Sequence, residues 1–150
     1  SEEKGKVKTI RNSLTGNVIA VNTGLIKLLV NNGYTPVMTI PAITEEGDLI
    51  NVDNDRAIAI IARDLSVKKV MMLFEAGGLL QNLDDPASII RHIDKDDLDS
   101  YIAKTEGRMR KKLLGVKEAF SYGVKSVYFG DGRIEKPLTS AVAGRGTLIN

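Results

Sequence analysis

The chain has 150 residues, 43% hydrophobic and 27% charged, with a formal net charge of +2. That balance fits one folded domain with a core and excludes a disordered segment. The sequence has no cysteine, which excludes a disulfide framework and thiolate chemistry and accords with a cytoplasmic protein.

Aromatic content is only 5%, and basic and aromatic residues do not interleave, so nucleic acid is not an expected partner. No apolar run approaches about 18 residues, and no membrane span is expected. Lys4, Lys6 and Lys8 alternate with Gly5, Val7 and Thr9, which on a strand places three lysines on one face. Turn residues from Asn12 to Asn17 lead into a second expected strand, Val18 to Val21. The resulting cationic hairpin is either a solvated face or a dock for an acidic partner. Asn22 or Thr23 caps an expected helix that stops near Gly33. Tyr34 to Ile40 reads as a buried strand, with Pro36 near its start.

Asn51-Val52-Asp53-Asn54-Asp55-Arg56 packs two carboxylates and two amides ahead of the apolar run Ala57 to Ala62. One Asp satisfies a helix N-cap, and the second is surplus to it. A carboxylate held there either simply ends a turn or orients lysines or a metal. A helix from about Asn54 to Leu65 and a buried strand Lys69 to Phe74 are expected. The glycine pair Gly77-Gly78 after that strand is either a plain turn or a ligand-facing sheet edge. Asp84 to Asp99 is acidic, with a helix expected over Asp96 to Lys104. His92, the single histidine, reads as a surface residue. Thr105 to Lys112 carries Arg108, Arg110, Lys111 and Lys112 just before an expected helix, Leu113 to Tyr122. It is either a solvated basic end or an anion seat at a helix N-terminus. Val124 to Phe129 is another expected strand. Pro137 suits the start of a short helix, and Gly144-Arg145-Gly146 a turn into the last strand. No Walker A motif and no complete G-x-G-x-x-G is present.

Several of these stretches together resemble the amino acid kinase family, near acetylglutamate kinase. The segment Asn51 to Asp55 resembles its N-x-[ND]-x-D motif. Gly107, Met109 and Lys112 match its G-x-M-x-x-K, and Gly144 to Ile149 its G-x-G-T-x-I. Gly78, Leu79 and Leu80 match the turn that meets the nucleotide. At that turn Phe74 stands where a small hydroxyl residue is usual, and Glu75 where Asp is usual, which implies a nucleotide contact altered in detail.

The resemblance implies an α/β fold: a three-layer αβα sandwich with a mainly parallel sheet and an N-terminal hairpin. It implies ATP with Mg2+ and an acidic amino-acid acceptor converted to an acyl phosphate in lysine or arginine biosynthesis. Lys112 and Asp55 would be catalytic, and Asn51 would hold the acceptor. Phe74, Glu75, Gly78, Leu79, Gly107, Met109 and Lys112 would meet the nucleotide. Asp53 and the lysine face are closer to the branch that phosphorylates aminoadipate or glutamate on the acidic carrier protein LysW, which would dock on Lys4, Lys6 and Lys8. The alternatives are acetylglutamate kinase and a non-catalytic nucleotide-binding or regulatory module. Family members are roughly 250 to 300 residues long, so the chain is expected to be a single nucleotide-binding C-terminal lobe. The acceptor-binding lobe would then lie outside it, and the full-length enzyme would be a homo-oligomer.

Overall fold

The computed structural model describes residues 2–3, 6–7, 14–39 and 41–150, with the backbone alone at 2–3 and 6–7. Strand β1 (Glu2–Glu3) pairs antiparallel with β2 (Lys6–Val7). The expected lysine face falls on Lys4 and Lys8, outside the described residues, and on the side chain of Lys6.

The expected return strand, Val18 to Val21, does not form. Strand β3 is Thr15–Gly16 instead, with Thr15 opposite Asn51 in a parallel pairing. The reason is visible in the backbone partners that follow. The Val21 N–H donates to the Asp64 carboxylate at 2.9 Å, and the Ile19 carbonyl accepts from the Arg63 guanidinium at 2.8 Å. Side chains of a helix thus take groups that a strand would spend on a ladder. Asn22 caps helix α1 (Thr23–Asn31), its Oδ1 accepting from the Leu25 N–H at 3.0 Å.

The expected buried strand at Tyr34 to Ile40 is also not found. Residues 34–39 have no regular structure, Val37 is 92% exposed, and Ile40 lies outside the described residues. An apolar run becomes a buried strand only where a ladder and a covering face exist, and none pairs with this run among the described residues. Strand β4 (Ala42–Ile43) turns back antiparallel onto β5 (Leu49–Val52), which also carries β3 on its other side.

Helix α2 (Asn54–Asp64) leads to β6 (Lys69–Phe74), which runs parallel to β8 (Ser126–Asp131). Between them lie β7 (His92–Ile93), a 3-10 turn at Lys95–Asp97, α3 (Leu98–Lys104) and α4 (Gly107–Ser121). His92 is exposed, its Nε2 2.7 Å from Asn150 Oδ1. After β8 come α5 (Pro137–Ser140) and β9 (Thr147–Ile149). The sheet order is β6-β8-β9-β7, with β8 and β9 antiparallel and β7 and β9 parallel. The fold is mixed α/β, and both larger sheets combine parallel and antiparallel pairs. One core joins Ala59 and Ala62 of α2, Leu113, Val116 and Ala119 of α4, and Val127, Phe129 and Ile149 of the sheet. No helix among the described residues is long and apolar enough to cross a membrane.

The exit of β8 is closed by a local clamp. Asp131 Oδ1 accepts from the Arg133 backbone N–H at 2.9 Å, and the Arg133 guanidinium engages both carboxylate oxygens, at 2.9 and 2.7 Å. The guanidinium hydrogen bonds hold the Asp131 carboxyl down at about 2. A depressed carboxylate stabilises the fold above its unfolded value, near 3.9, and loses that contribution as pH falls through about 2. The stability gap between the wild type and Asp131→Asn should therefore be full at pH 5 and close progressively down to pH 2. Urea melts at each pH measure it; a gap constant over that range contradicts the clamp.

Candidate active site

Asp53 adopts an extended backbone at the end of β5, and its Oδ1 accepts from the N–H groups of Asp55 (3.0 Å) and Arg56 (3.2 Å). That is a complete N-cap. Asp55 is left for another partner: its two oxygens receive Lys112 Nζ at 3.1 and 3.3 Å. Side-chain exposure is 25% for Lys112 and 18% for Asp55, so the pair is mostly withdrawn from water.

The two residues meet because α4 packs closely on α2. A Cβ built on Gly115 would stand 3.2 Å from both the Cβ and the carbonyl oxygen of Asp55. A hydrogen at that position lets the helices approach. A second bridge runs between the same helices, Arg56 Nε to Glu118 Oε2 at 3.4 Å, and Arg56 Nη1 also donates to Asn17 Oδ1 at 3.2 Å. Phe74, the last residue of β6, places its ring under Lys112, with Nζ 5.6 Å from the centroid.

The glycine turn after β6 is held from the far end of the chain. The Leu79 N–H donates to Thr147 Oγ1 at 2.8 Å, in the buried interior. A Cβ on Gly78 would lie 2.5 Å from that same oxygen and 2.9 Å from Ile89 Cγ2. Gly78 therefore has no room for a side chain. Beside the turn lies a cavity of about 420 Å³, lined by Gly78, Leu79, Leu80, Lys104, Glu106 and Met109 among others. A second, larger hollow of about 800 Å³ is lined by Val52, Asn54, Asp55, Met72, Leu73 and Lys112 among others. Met109 and Lys112 are three residues apart on α4, so they share a face and are separated along the axis by about 4.5 Å. Helix α4 thus contributes Met109 to the smaller hollow and Lys112 to the larger one.

Of the residues singled out from sequence, Lys112, Asp55 and Phe74 converge, and Gly78, Leu79 and Met109 line one cavity. Gly107 opens α4 with φ +59. Glu75 is exposed just beyond Phe74. Asn51 is exposed on β5, and its N–H donates to the Leu14 carbonyl at 2.7 Å. Its neighbour Val52 lines the larger hollow, and Asn51 is not among the lining residues. The helix N-terminus expected just before Leu113 is displaced: α4 begins at Gly107, and the four cations lie within it. Lys112 therefore occupies the second turn. Arg108, Arg110 and Lys111 are exposed and form no ion pair among the described residues. Sequence reasoning missed Gly115 as a contact and Thr147 as the anchor of the glycine turn. A glycine inside a helical pattern was the available signal for the first.

A mixed α/β chain with a lysine–carboxylate pair one helical turn from a ligand-sized cavity has the layout of a ligand-binding α/β protein. The chain belongs to the amino acid kinase family, whose model matches residues 2–131. It is 48% identical over all 150 residues to the LysW-aminoadipate kinase of Deinococcus radiodurans, of which it covers 51%. It is 29% identical, over 99% of its length, to the acetylglutamate kinase of Methanothermobacter thermautotrophicus, of which it covers 52%. In fold it is similar to an N-acetylglutamate synthase from Neisseria gonorrhoeae complexed with coenzyme A and L-arginine. That match has a TM-score of 0.82 and 19% identity, over 95% of this chain and 34% of the other. The chain spans about half the length of the curated relatives it matches.

The anchor of the glycine turn is testable. Thr147→Val keeps the shape and removes the oxygen, leaving the buried Leu79 N–H without its acceptor at a cost of about 1–3 kcal/mol. The urea midpoint should fall with an unchanged slope, and the Leu79 amide should exchange faster. An unchanged midpoint would show that the bond does not hold the turn.

Proposed function

We propose that this chain is the nucleotide-binding, C-terminal lobe of a three-layer αβα kinase that phosphorylates a side-chain carboxylate. The observation that carries the reading is the Lys112–Asp55 pair, seated one helical turn from the cavity lined by Gly78, Leu79 and Met109. The cavity takes the adenosine of ATP, and Phe74, Glu75 and Gly107 are proposed as further nucleotide contacts outside its lining. The phosphates run along α4 toward Lys112.

Phosphoryl transfer asks the protein mainly for alignment and for cations where charge spreads over the transferring oxygens. An acceptor carboxylate oxygen attacks the γ-phosphorus, the bond to the β–γ bridging oxygen breaks, and ADP leaves with that electron pair. Lys112 Nζ faces the charge that develops on the transferring group, and Asp55 orients the lysine. Magnesium carried in with the nucleotide would supply further positive charge for that group. No three carboxylate or imidazole groups gather among the described residues to hold the ion by themselves.

The acceptor is an acidic amino acid, aminoadipate or glutamate, held by Asn51 and by residues of an acceptor-binding lobe outside this chain. The 48% identity to a LysW-aminoadipate kinase supports an acceptor presented on the acidic carrier LysW, in lysine or arginine biosynthesis. Lys4, Lys6 and Lys8 are the proposed dock, and Arg108, Arg110 and Lys111 are a second set of exposed cations. The working enzyme is a cytoplasmic homo-oligomer.

Calorimetric titration with Mg-ATP and Mg-ADP tests the site. Lys112→Ala should weaken Mg-ATP by roughly tenfold or more, the value of a hydrogen bond to a charged group, and Mg-ADP by less. Equal loss for both nucleotides would remove Lys112 from the transferring phosphate. The 150-residue chain alone should form no acyl phosphate when ATP, LysW-linked aminoadipate and hydroxylamine are supplied together. ATP-dependent hydroxamate in that assay would overturn the division into lobes.

A further inference from the structure

Phe74 ends β6, and the structure gives its ring a role toward Lys112. Lys112 Nζ has a carboxylate on one side, Asp55 at 3.1 and 3.3 Å, and the face of Phe74 on another, 5.6 Å from the ring centroid. That distance is inside the range of about 6 Å within which a ring quadrupole attracts an ammonium.

The ring is itself fixed. Phe129, which is fully buried, meets it edge to face at 5.3 Å and 81°. The Phe74 carbonyl accepts from the Gly132 N–H at 2.9 Å, and Phe74 stands in register with Asp131 on β8. An aromatic face attracts the positive charge without claiming one N–H in a fixed direction. A hydroxyl at this position would accept a hydrogen bond from the ammonium and draw it toward the strand. An ammonium has three donors. With the carboxylate taking up to two of them and the ring taking none in a fixed direction, one donor stays available toward the larger hollow.

We propose that Phe74 is a positioning residue for the Lys112 ammonium: its ring face confines the charge beside Asp55 and leaves a donor directed at the nucleotide's terminal phosphate. The inference rests on the kinase reading for the identity of that phosphate. The contact between ring and ammonium stands independently of it.

Lysine-selective 13C labelling of the 150-residue chain, without nucleotide, reads the contact directly. The Lys112 ε-methylene protons should be shifted upfield by the ring. They should return to the ordinary lysine position in Phe74→Leu and stay shifted in Phe74→Tyr, which keeps the ring. Wild-type resonances already at the ordinary position would overturn the proposal, whether or not either variant folds. In calorimetry, Phe74→Leu should bind Mg-ATP about 3- to 10-fold more weakly, the range of a partly desolvated cation–π contact, with a smaller change for Mg-ADP and recovery in Phe74→Tyr. A lost ring shift with unchanged Mg-ATP affinity would also overturn it, because the ring would then touch the lysine without positioning it. If the wild type binds neither nucleotide, the kinase reading of this chain fails, and the resonances alone decide whether Phe74 confines Lys112.

Discussion

The ion pair between Lys112 and Asp55 depends on how closely α4 packs against α2, and the site depends on the ion pair. Two charges moved out of water are costly unless they meet in good geometry. Here both carboxylate oxygens lie within 3.3 Å of the ammonium, and neither side chain is fully buried. The geometry follows from Gly115, whose lack of a side chain brings the helices together one turn beyond Lys112. Below that contact Leu113, Val116 and Ala119 fill the core, so the packing that stabilises the fold also sets the reach of the lysine.

A second constraint enters from the end of the chain. Strand β9 joins β8 on one side and β7 on the other, and its Thr147 hydroxyl fixes the Leu79 N–H. The turn that borders the smaller cavity is therefore tied at both ends, at Phe74 to Gly132 just beyond β8 and at Leu79 to Thr147 of β9. Loops carry ligand contacts well only when a rigid scaffold positions them. In this chain one scaffold supports both the cavity and the lysine, since Met109 and Lys112 share a face of α4.

What was legible in the sequence was what local chemistry decides. The strand Lys69–Phe74 and the start of α2 after Asp53 form where they were expected, because a cap and an apolar run with a partner suffice. The run from Tyr34 onward has the same apolar character and forms no strand, because pattern records what a segment can bury and says nothing of what is there to cover it. Val18 to Val21 fails for a related reason: its backbone partners come from Arg63 and Asp64, far along the chain. The pairing of Asp55 with Lys112 spans 57 residues and had no local signature. Residue chemistry marked the two stretches separately, the family motifs picked out Asp55 and Lys112 within them, and only the packing of α4 on α2 joins them.

Helix α4 shows why its starting point matters for the chemistry. Arg108 and Arg110 in the first turn oppose the helix dipole, each by about 0.3–1 kcal/mol where exposed, and Glu106 provides no side-chain cap bond. The buried face of the helix outweighs that cost. Had the helix begun at Leu113, Lys112 would sit on a loop, and the ammonium could be fixed only by ordering that loop. In the second turn its Cα is set by the helix ladder, so Asp55 and Phe74 need to restrain only the side chain. An anion bound beside these cations would relieve the same unfavourable charge that the free helix carries. The electrostatic cost and the proposed phosphate site therefore have a common origin in where α4 begins.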